Sequence, residues 1–141
     1  MALMNQQLRS LDWPIRVYYE DTDAGGVVYY ANYLKFMERG RTEWLRSHGI
    51  EQDGLLAAGI AFMVRSVQID YLAAARFDEL LTVATKVERL RGASIVFTQK
   101  ITRPDGHALC TGQVRVACVN LSSGDPMAIP AHVKGALIGE R

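Results

Sequence analysis

Residues 31–48 form a long stretch of the sequence with helical spacing, and four segments with the alternation of strands follow it. Apolar residues recur along the stretch at steps of three and four, at Leu34, Met37, Trp44 and Leu45. A helix with one apolar stripe needs a large apolar partner, and a single curved sheet is the only such partner that this sequence can build. The pattern therefore predicts an α+β fold, in which an antiparallel sheet of about five strands wraps around one long central helix.

The strands are predicted from composition and alternation, at residues 13–19, 60–71, 80–90, 93–103 and 108–120. In the last segment Val114 and Val116 alternate with Gln113 and Arg115, which is typical of half-buried antiparallel strands. The remaining predicted elements are short, with hairpin turns at 91–92 and 104–106 and helices at 51–58 and 130–138. A length of 141 residues suits one domain over residues 1–141.

Charge and hydropathy exclude several classes of partner. The sequence has sixteen basic and fifteen acidic residues and no run of either sign, so neither a nucleic-acid-binding surface nor a polybasic membrane-binding surface is expected. The longest uncharged apolar run, residues 54–64, is far shorter than the ~20 residues of a membrane span. The first fourteen residues lack the basic start and apolar block of a secretory signal, so we expect a cytoplasmic chain.

The two cysteines, Cys110 and Cys118, lie eight residues apart in one predicted strand. At about 3.3 Å per residue they are roughly 26 Å apart, whereas a disulfide needs Cα atoms within about 7 Å. We therefore expect reduced thiols, which again suits the cytoplasm. The sequence has no CxxC, no HExxH and no His/Cys cluster with zinc spacing, so no metal and no cofactor is expected.

The chemistry is concentrated between residues 18 and 33, where Glu20, Asp21 and Asp23 stand in a glycine-bearing loop directly before the helix. A helix start presents free backbone N–H groups and a partial positive charge, which can polarise a carbonyl. A carboxylate beside such donors can attack an acyl group or activate water, while the donors hold the oxyanion. The same residues are also compatible with a plain acidic turn with an N-capping aspartate.

Three motifs occur in the same order as in one enzyme family, and the likeness to that family extends over nearly the whole chain. They are EDTDAGGVVY at residues 20–29, ERGRTE at 38–43 and RGAS at 91–94. The chain is similar to the 4-hydroxybenzoyl-CoA thioesterase-like branch of the hotdog-fold family, and within it to the Tol–Pal-associated acyl-CoA thioesterases. The resemblance implies a hotdog fold, hydrolysis of acyl-CoA or acyl-carrier-protein thioesters, and a homodimer or homotetramer.

The resemblance also assigns roles to residues of the loop. The family's catalytic carboxylate falls on Asp23, as nucleophile or as general base, and the tyrosine that accompanies it falls on Tyr19. A histidine of the Tol–Pal-associated branch is replaced by Tyr30. With a reference pKa of about 10, a tyrosine is a poor proton shuttle at neutral pH. In the hydroxybenzoyl-CoA type the equivalent position is aromatic and its backbone N–H polarises the thioester carbonyl, so the resemblance implies this role for the backbone N–H of Tyr30.

Weaker candidates lie outside the loop. Glu38 on the helix is a candidate for orienting water or substrate, and its alternative is an ordinary exposed helix position. Arg89 and Arg91 flank a hairpin turn and are candidates for the phosphates of coenzyme A, because guanidinium groups suit phosphate oxygens. Arg65 is a further phosphate candidate. For all three arginines, plain solvation is the alternative.

A second function class remains open, a non-hydrolytic module that binds acyl-CoA or acyl carrier protein. The replacement of the family histidine by Tyr30 favours it, and one fold can host both functions. Asp23 favours hydrolysis, because binding a neutral thioester gives no reason to place a carboxylate beside it.

Overall fold

The structure is a computed structural model that describes residues 10–138. Its strands are β1 (Leu11–Arg16), β2 (Ile60–Tyr71), β3 (Leu80–Leu90), β4 (Ser94–Thr102) and β5 (Ala108–Asn120). Its helices are α1 (Asn32–Ser47), α2 (Gln52–Ala57) and α3 (Ala131–Leu137), with a 3₁₀ turn at Tyr19–Asp21.

The five strands form one antiparallel sheet in the order β1-β3-β4-β5-β2, and α1 packs on one of its faces. This arrangement confirms the predicted sheet around a long helix. The pairing register shifts at Arg65 in β2 and at Glu88 in β3. Between the two shifts lies one row of paired residues that crosses four strands, Arg89, Val96, Arg115 and Ser66. Because a bulge bends its strand and increases the local twist, the two shifts help the sheet curve around α1.

The helix approaches the sheet closely at Gly40. A Cβ there would lie 2.7 Å from both Thr85 Oγ1 and Val83 Cγ1, so only glycine allows this separation. Gln99 is buried under the same point, and its Nε2 donates to Met37 O at 2.8 Å and to Thr85 Oγ1 at 2.9 Å. These bonds tie α1 to β3 and β4 at the centre of the fold.

The apolar stripe of α1 differs from the prediction at one position. The spacing predicts Leu34 on the buried face, but Leu34 is 39% exposed, while Tyr33 and Phe36 are buried. The reason is the position of the helix, which packs chiefly against β1 and β3 and leaves the side above β2 open.

Most predicted bounds agree with the structure, and β2, β3 and β5 agree at both ends. β1 begins at Leu11 rather than at Trp13, because its pairing with β3 already starts at Leu11. It ends at Arg16, earlier than predicted, because the Val17 N–H bonds to Glu79 O and the chain then enters the 3₁₀ turn. The predicted lack of a secretory signal concerns mostly the first nine residues, which lie outside the described residues. A single domain over residues 1–141 stays a prediction, because the two termini are not described.

Both cysteines are buried and free, as expected from their spacing. Burial raises the pKa of Cys110 to about 12 and also raises that of Cys118. A separate finding concerns membranes: between residues 10 and 138 no helix is both long and apolar enough to cross a bilayer.

Candidate active site

The loop before α1 folds back on itself and places Asp23 at its turn. Thr22 pairs with Val28, the Asp23 N–H donates to Val27 O at 2.9 Å, and the Gly26 N–H donates to Asp23 O at 3.0 Å. Gly26 has a φ of +81°, in the left-handed region that favours glycine, which explains a glycine at this point of the motif.

The side chain of Asp23 is exposed, and one of its oxygens is fixed. Its Oδ1 accepts the Gly25 N–H at 2.8 Å, whereas its Oδ2 accepts no hydrogen bond from the residues between 10 and 138. A Cβ at Gly25 would lie 3.2 Å from Oδ1, so glycine leaves room for the carboxylate. The geometry therefore orients the carboxylate and leaves one oxygen to act on a ligand.

Asp21, two residues earlier, is buried and has a structural role. Its Oδ2 accepts the Tyr18 N–H at 2.8 Å. Its backbone carbonyl accepts the Tyr29 N–H at 3.0 Å and the side-chain amide of Asn32 at 2.9 Å. The structure thus separates the two aspartates of the motif, since one holds the loop against the helix start and the other faces solvent.

The N-terminus of α1 is left open toward the loop. Ala31 stands at the cap position and makes no side-chain capping bond. Within residues 10–138 neither the Tyr30 N–H nor the Ala31 N–H donates a hydrogen bond. Backbone donors at a helix start add the positive end of the helix dipole, so this position can stabilise a developing oxyanion.

The two tyrosines predicted for the site flank the loop. Tyr30 is 60% exposed and its ring contacts Tyr29 and Tyr71, with centroids 5.0 and 5.9 Å away. Tyr19 is 81% exposed and packs edge-on against Phe77 at 6.1 Å. The loop that carries Asp23 therefore has exposed aromatic side chains at both of its ends.

The segment before β3 supports the loop, and sequence reasoning missed it. Ala75 O accepts the Val28 N–H at 2.8 Å, and the Ala75 N–H donates to the hydroxyl of Tyr33 at 2.9 Å. An ion pair holds this segment, with Arg103 Nε 2.7 Å from Glu79 Oε2. The two charged residues are 24 positions apart, so only the β3–β4 pairing could have revealed them as partners.

Removing the Glu79 charge should destabilise the fold in a pH-dependent way. The hydrogen bond from Arg103 lowers the pKa of Glu79, and burial opposes it, with a further lowering from the Arg76 N–H. The stabilisation is therefore complete above the ordinary glutamate pKa of about 4.3 and is lost as the pH falls through the lowered folded value. We expect Glu79→Gln to lower the free energy of unfolding by about 1–2 kcal/mol at pH 7 and by less at pH 3.

Urea unfolding at the two pH values measures this difference. Glu43→Gln is the matched control, because Glu43 pairs with an arginine whose side chain is 52% exposed, and an ion pair this open to solvent contributes little to stability. An equal loss for Glu79→Gln at both pH values would refute the electrostatic explanation.

The weaker candidates lie away from the loop. Glu38 is exposed on α1, two turns beyond Tyr30, and lines a cavity between α1 and β2 together with Arg41. Arg91 is exposed in the β3–β4 turn, and Arg65 is exposed at the register shift of β2. The structure does not bring these residues into contact with Asp23.

Arg89 lines a groove together with a second arginine, Arg115. On the sheet face opposite α1, a groove of about 460 Å³ is lined by Arg89, Arg115, Val96 and Gln113, among others. The alternation of β5 predicts Arg115 on the polar face of its strand, but its proximity to Arg89 depends on the β3–β4–β5 register, which the sequence does not display.

Comparisons with known proteins agree with the fold and with the family resemblance. Residues 17–137 match the model of the thioesterase-like superfamily. The chain is 50% identical over 125 residues to the acyl-CoA thioesterase YbgC of Haemophilus influenzae, covering 88% of this chain and 91% of that protein. It is 47% identical over 121 residues to the acyl-CoA thioester hydrolase YbgC of Escherichia coli O6:H1, covering 86% and 90%.

A solved structure extends the likeness in three dimensions. A 1,4-dihydroxy-2-naphthoyl-CoA thioesterase from Synechocystis superposes with a TM-score of 0.85 at 21% identity, over 92% of this chain and 96% of that one. At this identity the likeness shows the fold, which is the hotdog fold. The chain belongs to the thioesterase-like superfamily, and it is a thioester hydrolase.

Proposed function

We propose that the protein hydrolyses acyl-CoA thioesters to a free acid and coenzyme A at the loop before α1. The observation that carries the proposal is the exposed, oriented carboxylate of Asp23 in a loop that leads to an uncapped helix start. The names of the YbgC relatives, acyl-CoA thioester hydrolase and acyl-CoA thioesterase, support the same substrate class.

In this proposal the thioester oxygen accepts the Tyr30 N–H, which holds the negative charge that develops on it. Asp23 Oδ2 then has two routes. As nucleophile it forms an acyl anhydride with loss of the coenzyme A thiolate, and water cleaves the anhydride. As general base it takes a proton from water, which adds to the carbonyl carbon before the thiolate leaves and is protonated.

The position of Tyr30 leads to a prediction about its side chain. If only the backbone N–H contributes, Tyr30→Phe should keep kcat within about threefold of the wild-type value, since the rings can pack alike. Steady-state thiol release measures kcat. A loss of a hundredfold or more would instead indicate that the phenol takes part in proton transfer.

The phosphates of coenzyme A need cationic partners, and Arg89 with Arg115 offers two guanidinium groups in one groove. Arg91 and Arg65 stay further candidates, exposed in the β3–β4 turn and at the register shift of β2. Glu38 stays a candidate for orienting substrate. An acyl-carrier-protein thioester is the proposed second substrate, since it carries the same thioester on a protein.

Self-association is part of the proposal. β2 is a twelve-residue strand at the edge of the sheet, so one side of its backbone is open to pairing. Exposed apolar side chains accompany it, at Met63, Val64, Val67 and Leu72. We infer that a second copy pairs with β2, giving a homodimer or a tetramer of two such dimers.

Two buried, unpaired cysteines fit a reducing compartment, the cytoplasm.

Product analysis tests the proposal. Incubation with an acyl-CoA in H₂¹⁸O should give free acid and free coenzyme A in equal amounts, with ¹⁸O in the acid, as measured by mass spectrometry. Recovery of intact acyl-CoA bound to the protein would favour the binding module instead.

A further inference from the structure

The Asp23 carboxylate and the Tyr30 N–H can act on one carbonyl only if the distance between them is fixed. The two groups lie on different structures, since Asp23 stands in a hairpin at residues 22–28 and Tyr30 stands at the start of α1. Next to the first arm of the hairpin, the carbonyl of Asp21 accepts two donors of the helix start. The second arm, residues 27–28, is held by other contacts.

The connection between β2 and β3, residues 72–79, supports this second arm. The Val28 N–H donates to Ala75 O at 2.8 Å. Ala75 has no exposed surface, and its own N–H donates to the hydroxyl of Tyr33 at 2.9 Å. The two backbone groups of Ala75 therefore join the hairpin to a side chain of α1.

The fold holds the Tyr33 side chain firmly in place. Tyr33 lies in the first turn of α1, three residues after Tyr30, and its N–H donates to Tyr30 O at 3.4 Å. Its side chain is only 2% exposed, and the centroid of its ring lies 6.0 Å from that of Phe36 and 5.7 Å from that of Tyr71. A ring packed in this way keeps its hydroxyl at the Ala75 N–H.

The Tyr33 hydroxyl acts on the protein chain and not on the substrate. Burial raises the pKa of Tyr33 above its ordinary value of about 10, and the hydrogen bond from Ala75 opposes this rise only in part, so the phenol is neutral near pH 7. The bond to Ala75 lies in the interior, whereas the Asp23 side chain is exposed. The contribution of the hydroxyl is therefore geometric.

From this chain of contacts we propose that Tyr33 is a positioning residue for hydrolysis. Its hydroxyl fixes Ala75, and through Ala75 it fixes the second arm of the hairpin at the distance from the helix start that the reaction needs. The proposal rests on the proposed function, because it requires Asp23 and the Tyr30 N–H to act on the same carbonyl. A displacement of about 1 Å in a reacting group can cost roughly a hundredfold in rate, so one buried hydrogen bond is enough for a large effect.

Tyr33→Phe tests the proposal, because it removes one oxygen atom and keeps the ring. We expect kcat for acyl-CoA hydrolysis to fall by about ten- to a hundredfold with KM within about threefold, since the reacting groups shift while the binding groups stay in place. Hydrogen exchange of the Val28 and Ala75 amides, followed by NMR, should accelerate by about tenfold or more. A wild-type kcat in Tyr33→Phe beside an inactive Asp23→Asn would refute the positioning role and leave the proposed hydrolysis intact.

Thr85→Val is the matched control, because it also removes a buried hydroxyl that accepts an N–H, here from Gln99 Nε2 at 2.9 Å. Thr85 lies in β3 at the centre of the fold, away from the loop. We expect both variants to lower Tm by a few degrees, whereas Thr85→Val should keep kcat within about twofold of the wild-type value. Equal losses of kcat in the two variants would assign the effect to stability alone and contradict the proposal.

A double variant tests whether Tyr33 acts through the carboxylate. Introducing Tyr33→Phe into Asp23→Asn should lower the residual kcat by less than about twofold, because the effects of residues that act as a unit do not add. A further loss of tenfold or more would show that Tyr33 acts on another part of the site and would overturn the proposal. A wild-type kcat in Asp23→Asn would instead overturn the proposed function, and the positioning role with it.

Discussion

Asp23→Asn should lower kcat for acyl-CoA hydrolysis by about a thousandfold or more, with the Kd for the same acyl-CoA within about threefold. The amide is isosteric and keeps an oxygen that can accept the Gly25 N–H, so the turn at residues 23–26 should persist. It removes the charge that either route requires, because an amide neither attacks a thioester nor takes a proton from water at neutral pH. Thiol release gives kcat, and calorimetry with the inactive variant gives Kd.

Glu20→Gln is the matched control for this experiment. Glu20 is an exposed carboxylate of the same loop, and its substitution removes the same charge three positions away. We expect its kcat to stay within about threefold of the wild-type value, since the field of an exposed charge is screened. Equal losses in both variants would assign the effect to loop charge and would contradict a chemical role for Asp23.

Gly40→Ala should destabilise the protein by about 2–3 kcal/mol, although alanine normally favours a helix over glycine by about 1 kcal/mol. The added Cβ would lie 2.7 Å from atoms of Thr85 and Val83 and 3.1 Å from Gln99 Nε2. These neighbours are short strand side chains and a hydrogen-bonded amide, so relief requires the helix to move away from the sheet. We expect a fall in Tm of roughly 6–10 °C by calorimetry.

Gly54→Ala in α2 is the matched control, because a Cβ there would meet nothing within 4 Å. Relief of glycine's conformational entropy should make it neutral or stabilising by up to about 1 kcal/mol. If Gly40→Ala were as stable as Gly54→Ala, the close approach of α1 to β3 would not constrain the fold.

Local pattern was enough to predict the strands and the helix. The alternation of Val114 and Val116 with Gln113 and Arg115 depends only on the period of a strand, and the observed β5 has the predicted bounds. The exposure of Leu34 depends instead on where α1 sits above the sheet, which follows from the glycine contact at Gly40 and from packing across the whole fold.

The residues of the candidate site also fall into two groups, those that the local sequence indicates and those that only the folded sheet brings together. The loop from Glu20 to Tyr30 is contiguous in the chain, so its motif alone is enough to indicate Asp23 and the helix start. Arg115 comes to share a groove with Arg89 only through strand register, and Glu79 likewise meets Arg103 only through strand pairing. No spacing in the sequence predicts either pair.

Steady-state thiol release by the purified protein tests the central claim most directly, with acyl-CoAs from acetyl to palmitoyl and with benzoyl- and 4-hydroxybenzoyl-CoA. Our account predicts clear turnover on at least one class of these thioesters, and its loss in Asp23→Asn. Binding of these acyl-CoAs without release of thiol from any of them would contradict it and identify the protein as an acyl-CoA binding module.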